Sequence, residues 1–465
     1  MTVTDQARPD RFAAETPWHL RDNNAPITEE VTAFELEVDG AIPPELSGRF
    51  LRNGANPQTG WSLHWFIGDG MVHGIELGGG KVNWYRNRYV QTPMFANPGA
   101  DRTELALDPE TFTFDLSVSA ANTHVIKHGG RILALEEGAF PYELTPELET
   151  VGPFTYDGKL TTAMTAHPKI CPETGELLFF GMNYAMDPYF TYYRVDPEGR
   201  LVQATNIDVK GPSMSHDFAV SRNHVVAMDL PAVFNLELAM QGGMPFRWEH
   251  DYGARMGVMP RNAEDGDQVQ WFEIDDCYVF HTLNAHDDGD EVVVRGCRVP
   301  QMWVDDAEIG GDDINPEEAP RLYEWRLNRA TGSVSESLLD DRPSEFPRLA
   351  DADAGLDARY GYTMGLVEDG AAGELVKYDF EDGASRTTHA FPTGHTPGEA
   401  VFVPAEGAAN PDDGYLMTFV HAADTDSSYF AILDASNVAA DPVATVALPQ
   451  RVPTGFHGSW ISDSA

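Results

Sequence analysis

Lysine is scarce in this chain. Six lysines (Lys81, Lys127, Lys159, Lys169, Lys210 and Lys377) stand among 31 basic residues, against 74 aspartates and glutamates, for a formal charge of −43. Such a surface cannot supply the dense cationic contacts that a phosphate backbone needs, which excludes nucleic acid as a partner. The acids are spread along the chain, so a disordered acidic tail is excluded as well. Salt screens the self-repulsion of such a surface, and the expectation is a halophilic protein of a high-salt cytoplasm. Cysteine is equally thin: Cys171, Cys277 and Cys297 are odd in number and form no C-x-x-C, which excludes a disulfide framework and a zinc ribbon. Long apolar runs are missing, and "MTVTDQARPDRFAAETPW" carries no apolar stretch. We therefore expect no signal peptide, no membrane span and a cytoplasmic location. Also absent are a G-x-G-x-x-G opening a helix, and with it a hydride cofactor, and any Kelch or WD repeat.

Short runs rich in Val, Ile, Tyr, Phe and Thr, cut by Gly, Asp, Asn and Pro, recur along the chain. Examples are "GRILALEEG", "GELLFFGMNY", "NHVVAMDL" and "DEVVVRGCRV". "RVDPEGRLV" has the form of strand, turn, strand. Helical periodicity is sparse, with "PAVFNLELAMQ" (231–241) the best short candidate. Many short strands at regular spacing predict an all-β sandwich, barrel or propeller, and 465 residues favour the propeller. No low-complexity linker divides the chain, so we expect one domain over 1–465, with 1–30 as an N-terminal extension. The acidic stretch "DDAEIGGDDINPEEAP" (305–320) reads as an exposed insertion.

Four of the fifteen histidines have unusual settings: "TAHPKICPETGELLFFG" (His167), "SMSHDFAVSRNHVV" (His216), "VFHTLNAHDDGDEVVV" (His281) and "GFHGSW" (His457). No local metal motif spans the distances between them, and spacing alone leaves a shared site open. His64 and His73 flank the "GDGM" turn and read as turn-holding residues. His124 and His128, four apart in a predicted strand, face the same side. His224, His286, His395 and His421 read as hydrogen-bonding residues of surface or core.

Ten segments carry a wider pattern. They are "GRFLRNGANP" (48–57), "HWFIGDGMVHG" (64–74), "TAHPKICPETGELLFFG", "MSHDFAV", "FHTLNAHDD", "EFPRL" (345–349), "GEAVFVP" (398–404), "DDGYLM" (412–417), "ILDASNV" (432–438) and "LPQRVPTGFHG" (448–458). In this order the chain resembles the carotenoid cleavage oxygenase family, which includes apocarotenoid oxygenases, stilbene-cleaving dioxygenases and the vertebrate retinoid isomerase. The resemblance implies a seven-bladed β-propeller with a non-haem Fe(II) on its axis, and loops and short helices forming a dome over one face. Carried over position by position, it implies His167, His216, His281 and His457 as iron ligands. Glu137, Glu345 and Glu399 occupy the positions of the carboxylates behind them, which leaves His167 without such a partner. Ala55, Ile67 and Ala400 depart from common family residues, a matter of loop geometry and not of ligands.

Four neutral imidazoles suit a late divalent metal and leave its charge intact. A carboxylate on the far ring N–H fixes each tautomer. The family reaction is cleavage of a C=C bond by O₂ into two carbonyl products, so the partners implied are O₂ and a carotenoid, an apocarotenoid or, as the alternative, a stilbene. Stilbene-cleaving members place a Lys, and carotenoid-cleaving members a Trp, before the residue matching Glu137; this chain has Glu136, which fits neither. Thr123 and Phe280 match residues near the open iron positions and the substrate tunnel. The apolar run 231–246 matches a family patch that dips into membrane, which implies peripheral membrane association. The competing class is a propeller that binds a ligand without catalysis.

Overall fold

The computed structural model describes residues 10–463, apart from 14, 109, 112, 241–243, 303–316 and 367–371. The acidic stretch 305–320 thus lies outside the described residues except for 317–320. The chain packs as two compact units, Met1–Ala166 with His389–Ala465, and His167–Thr388. Among the described residues the α-helices are single turns of four or five residues, and antiparallel strands build both units.

Three sheets make the first unit. The five-stranded sheet runs, edge to edge, Thr32–Ala33, Lys81–Tyr89, Met71–Gly78, Gly48–Arg52 and Gly458–Ser462. A four-stranded meander covers His124–His128, Arg131–Leu135, Tyr142–Leu144 and Thr150–Pro153. Its first hairpin turns through Gly129 and Gly130, with φ of 55° and 76°, the left-handed pair that a two-residue hairpin turn demands. The third sheet joins Val38–Gly40 to Ala444–Ala447, Ser427–Asp434, Gly414–Ala422 and His395–Pro397, with Val401–Pro404 also on Gly414–Ala422.

Successive side chains of a strand point to opposite faces, and here both faces are buried. Phe50 packs with Ile75, Tyr85, Phe419 and Phe430, whereas its neighbour Leu51 packs with Val72, Val125, Ile132 and Tyr142. Burial on both faces explains why these strands read as apolar runs rather than alternations. The Phe50→Ala variant is expected to lose about 3–5 kcal/mol in denaturant unfolding, as a fully buried ring truncated to a cavity. A loss below about 1 kcal/mol would contradict that packing.

The described residues ahead of the first strand pack in the same unit. Leu20 is buried, and Arg451 donates to the carbonyls of Asn23 and Ala25.

In the second unit, Lys169–Ile170, Leu177–Met182, Phe190–Val195 and Leu201–Ile207 form one meander. Ala219–Val220, His224–Asp229, Ala254–Pro260 and Gln270–Ile274 form another, and Phe180, Tyr192, Phe218 and Val225 lie in their shared core. A seven-stranded sheet follows from Tyr278–Asp288 to Ser385–Ala390. Its 15-residue strand Val334–Arg348 pairs with Arg321–Asn328 through Pro343 and with Tyr360–Leu366 from Ser344 onward. The sheet is therefore two four-stranded meanders sharing one strand.

The predicted helix over 231–241 is corrected. Ala232–Phe234 is a strand paired with Phe246–Trp248, and only Leu236–Met240 is helical. Phe234 stacks on Tyr184 at 5.7 Å and meets Phe246 at 5.9 Å, so cross-strand aromatic packing wins over a weak local helical signal. Asn235 then starts the helical turn, its side chain accepting the N–H of Leu238 (3.0 Å).

Candidate metal centre

Within the second unit the sequence brings together three imidazoles. His167 and His216 lie outside the strands, each shortly before one, and His281 lies in the strand Tyr278–Asp288. All three are less than 9% exposed, and their ring nitrogens lie within 4.8 Å of one another. His167 Nε2 is 3.0 Å from His216 Nε2, which is 3.2 Å from His281 Nε2.

Three such nitrogens cannot all be satisfied by sharing protons: one proton bridges one pair, and the remaining lone pairs repel. A cation among them removes the conflict. Two nitrogens each about 2.1 Å from one metal and at right angles are about 3.0 Å apart, which is the spacing found. The donor set, nitrogen only, suits iron and its late first-row neighbours.

His281 Nδ1 donates to Glu345 Oε2 (2.6 Å), which fixes its tautomer and turns the Nε2 lone pair toward the other imidazoles. Glu345 is aimed by a kink in its strand. Register shifts between Glu345 and Arg348, and Phe346 takes a left-handed φ of 53°, rare for a bulky residue. That conformation costs about 1–3 kcal/mol. It lets the Phe346 N–H also reach Glu345 Oε2, while the Phe346 ring packs on His281 at 5.2 Å.

His457 belongs to the first unit, where the same device recurs. Its Nδ1 donates to Glu399 Oε1 (2.8 Å), and the Gly458 N–H donates to Glu399 Oε2 (2.9 Å). The backbone is pinned on both sides: His457 N–H donates to Thr123 O (3.1 Å), and Asn53 N–H to His457 O (3.0 Å). His124 stands edge-on to the ring at 5.4 Å.

The glycines here are explained by close approach, and neither takes a left-handed φ. A Cβ on Gly455 would come within 2.5 Å of the Arg52 guanidinium carbon, and one on Gly458 within 2.7 Å of Leu51 O. Burial lowers Arg52 to about 10, with Tyr85 and Glu399 opposing the shift, so it stays charged at neutral pH.

The remaining expected residues are placed as follows. Glu137 sits partly buried in the turn after Arg131–Leu135. Glu136 is not a surface residue: its side chain is 11% exposed and takes Arg102 (2.7 Å), the Ser119 hydroxyl and the N–H groups of Ala120 and Gly138. Thr123 donates its hydroxyl to Asn122 Oδ1 (2.9 Å). Phe280 stands edge-on to His216 at 5.1 Å.

His64 holds its turn by accepting the Phe66 N–H (3.1 Å), and burial lowers it to about 4. His73 meets the Tyr85 hydroxyl at 2.9 Å. Reading the sequence missed Arg102, Phe346, and the ion pair of half-buried Lys169 with buried Asp217 beside the histidines. The one available signal was an acid directly before the apolar "FAV".

Antiparallel meander sheets with clustered imidazoles, two of them backed by carboxylates, define an all-β protein with a site that could hold a metal ion. The comparisons narrow that class. The profile of the retinal pigment epithelial membrane protein family matches residues 24–462. The carotenoid cleavage oxygenase of Mycobacterium tuberculosis is 38% identical over 94% of this chain and 96% of that protein. The carotenoid 9,10(9',10')-cleavage dioxygenase 1 of Arabidopsis thaliana is 33% identical over 97% and 91%. The crystal structure of Pseudomonas brassicacearum lignostilbene dioxygenase superimposes with a TM-score of 0.86 at 28% identity, covering 96% of this chain and 99% of the other. The chain belongs to the retinal pigment epithelial membrane protein family, the family of the carotenoid cleavage oxygenases, and its fold is the seven-bladed β-propeller expected from the sequence.

Proposed function

We propose that the protein is a non-haem Fe(II) dioxygenase that cleaves a C=C bond of a carotenoid or apocarotenoid, with His167, His216, His281 and His457 as the iron ligands. The observation that carries this reading is the convergence of three Nε2 atoms, with Glu345 locking the His281 tautomer. His457, held in the same tautomer by Glu399, is the fourth ligand. We assign Glu137 to the same group of supporting carboxylates.

When bound, iron supplies a centre at which O₂ is activated beside the alkene. The balance needs no reductant: the C=C bond gives up four electrons to O₂, and each oxygen atom ends in one carbonyl product. The chain's own residues hold the ligands. Glu345 and Glu399 keep the Nδ1 protons, so their imidazoles stay neutral and the cation keeps its charge. Phe280, Thr123 and Glu136 are the residues we assign to the surroundings of the substrate.

The test is mass spectrometry of products after incubation of iron-loaded protein with β-carotene, an apocarotenal and a stilbene. Two carbonyl fragments from a polyene are expected. Cleavage confined to the stilbene would favour the second reading, a stilbene-cleaving dioxygenase, to which the likeness to lignostilbene dioxygenase lends support. Cleavage of none would contradict both and favour the non-catalytic binding class.

We further assign the run 231–246, of which 241–243 lie outside the described residues, to peripheral membrane contact from a cytoplasmic location. No helix among the described residues is long and apolar enough to cross a membrane. Leu236 and Met186 are 65% and 63% exposed near the Tyr184–Phe234–Phe246 cluster, an arrangement fit to enter an interface. The Leu236→Asp variant is expected to cleave liposome-embedded carotenoid more slowly while keeping its rate on detergent-dissolved carotenoid. Equal rates in liposomes would contradict the assignment.

The charge of −43 supports the proposal of a high-salt setting, where repulsion is screened. The thermal unfolding midpoint is expected to rise between low and molar salt, and a flat or falling midpoint would count against it.

A further inference from the structure

Asp217 follows His216 and is 1% exposed, and its carboxylate is fully engaged within the second unit. Oδ1 takes Lys169 Nζ (2.8 Å) and the N–H of Phe218 (2.7 Å). Oδ2 takes the Thr282 N–H (2.8 Å) and lies 2.8 Å from the Thr282 hydroxyl, which is also 3.1 Å from Phe218 O. Lys169 comes two residues after His167, and Thr282 one residue after His281. One carboxylate therefore joins the three chain segments that carry the three convergent imidazoles.

Those segments need such a tie. His167 and His216 lie outside any strand, so no sheet ladder fixes their backbone. The strand pairing of His281 shifts register on both sides of Thr282, whose N–H goes to Asp217. A buried carboxylate accepting charged and neutral donors at once is among the stronger restraints a protein can build.

We propose that Asp217 is a positioning residue of the metal centre: it touches no ligand atom, yet it sets the separations of the three imidazole nitrogens and hence the affinity and ligand field of the metal. This rests on reading His167, His216 and His281 as metal ligands. Removing a direct hydrogen-bond partner of a metal ligand lowers metal affinity by about 10–100-fold, and a restraint acting one bond further out falls at the lower end of that range.

The test is Co(II) titration of the full metal-free chain, reading Kd and the visible ligand-field bands, with circular dichroism to establish folding. Asp217→Asn is expected to weaken Co(II) binding by about tenfold or more and to alter the bands. Lys169→Met and Thr282→Val each cut one arm and should give smaller losses of the same kind.

Asp340→Asn is the comparison, because Asp340 is also buried but holds the Tyr378 hydroxyl (2.9 Å) and Arg386 instead of a histidine segment. It should lower the unfolding midpoint and leave the bands unchanged. Wild-type affinity and bands in folded Asp217→Asn would overturn the proposal. Should that variant not fold, wild-type values in both Lys169→Met and Thr282→Val would overturn it equally. Failure of the wild type to bind Co(II) would instead overturn the metal reading beneath it.

Discussion

The His457→Ala protein is expected to fold, to purify without stoichiometric iron, and to show no cleavage activity. His457 is 4% exposed and makes its side-chain bond to Glu399, while its backbone bonds to Thr123 and Asn53 survive the substitution. The strand Gly458–Ser462 also survives, because its pairing with Gly48–Arg52 uses backbone groups. The variant separates the ligand from the strand that carries it. Deleting the last ten residues removes both, together with buried Phe456 and Ile461. Burying one such side chain contributes about 1.5–3 kcal/mol, so the truncated protein should lose stability as well as metal. Full iron occupancy in His457→Ala, measured by elemental analysis on folded protein, would show that the fourth ligand is misassigned.

Glu345 is expected to have the next largest effect. Its Oε2 accepts from His281 Nδ1 at 2.6 Å, and the strained Phe346 backbone exists to aim it. Glu345→Ala removes the acceptor, frees the His281 ring to rotate or change tautomer, and should weaken metal binding by about 10–100-fold. Glu345→Gln keeps an acceptor without the charge, so its loss should be smaller, and it identifies the share due to orientation. Equal metal affinity in wild type and Glu345→Ala would remove the carboxylate from the account.

How much was legible in the sequence depended on whether the signal was local. Strands such as Leu177–Met182 and Glu291–Val299 were readable because burial on both faces leaves a near-continuous apolar run. Glu345 and Glu399 were legible through the family resemblance, and the fold supplies the partners that a buried carboxylate needs, His281 and His457. The residues around 231–241 were misread as a helix because cross-strand packing of Phe234 on Phe246 is invisible to a helical periodicity.

Gly455 makes room for the Arg52 guanidinium, which comes from a strand 403 positions earlier in the chain and has no local signature around the glycine. Nor did any local feature of the sequence point from Glu136 to Arg102, which holds it. Asp217 was hidden for the same reason. Its meaning lies in Lys169 and Thr282, which only the fold brings to its two oxygens.

The central claim is that four imidazoles hold an iron that lets O₂ split a polyene double bond. Incubation of iron-loaded protein with a carotenoid under ¹⁸O₂, with immediate mass analysis of the products, tests it most directly. The account predicts two carbonyl fragments, each carrying one labelled oxygen, formed only when iron is present. Fragments that carry label on one side alone, or no fragments from iron-replete folded protein, would contradict it.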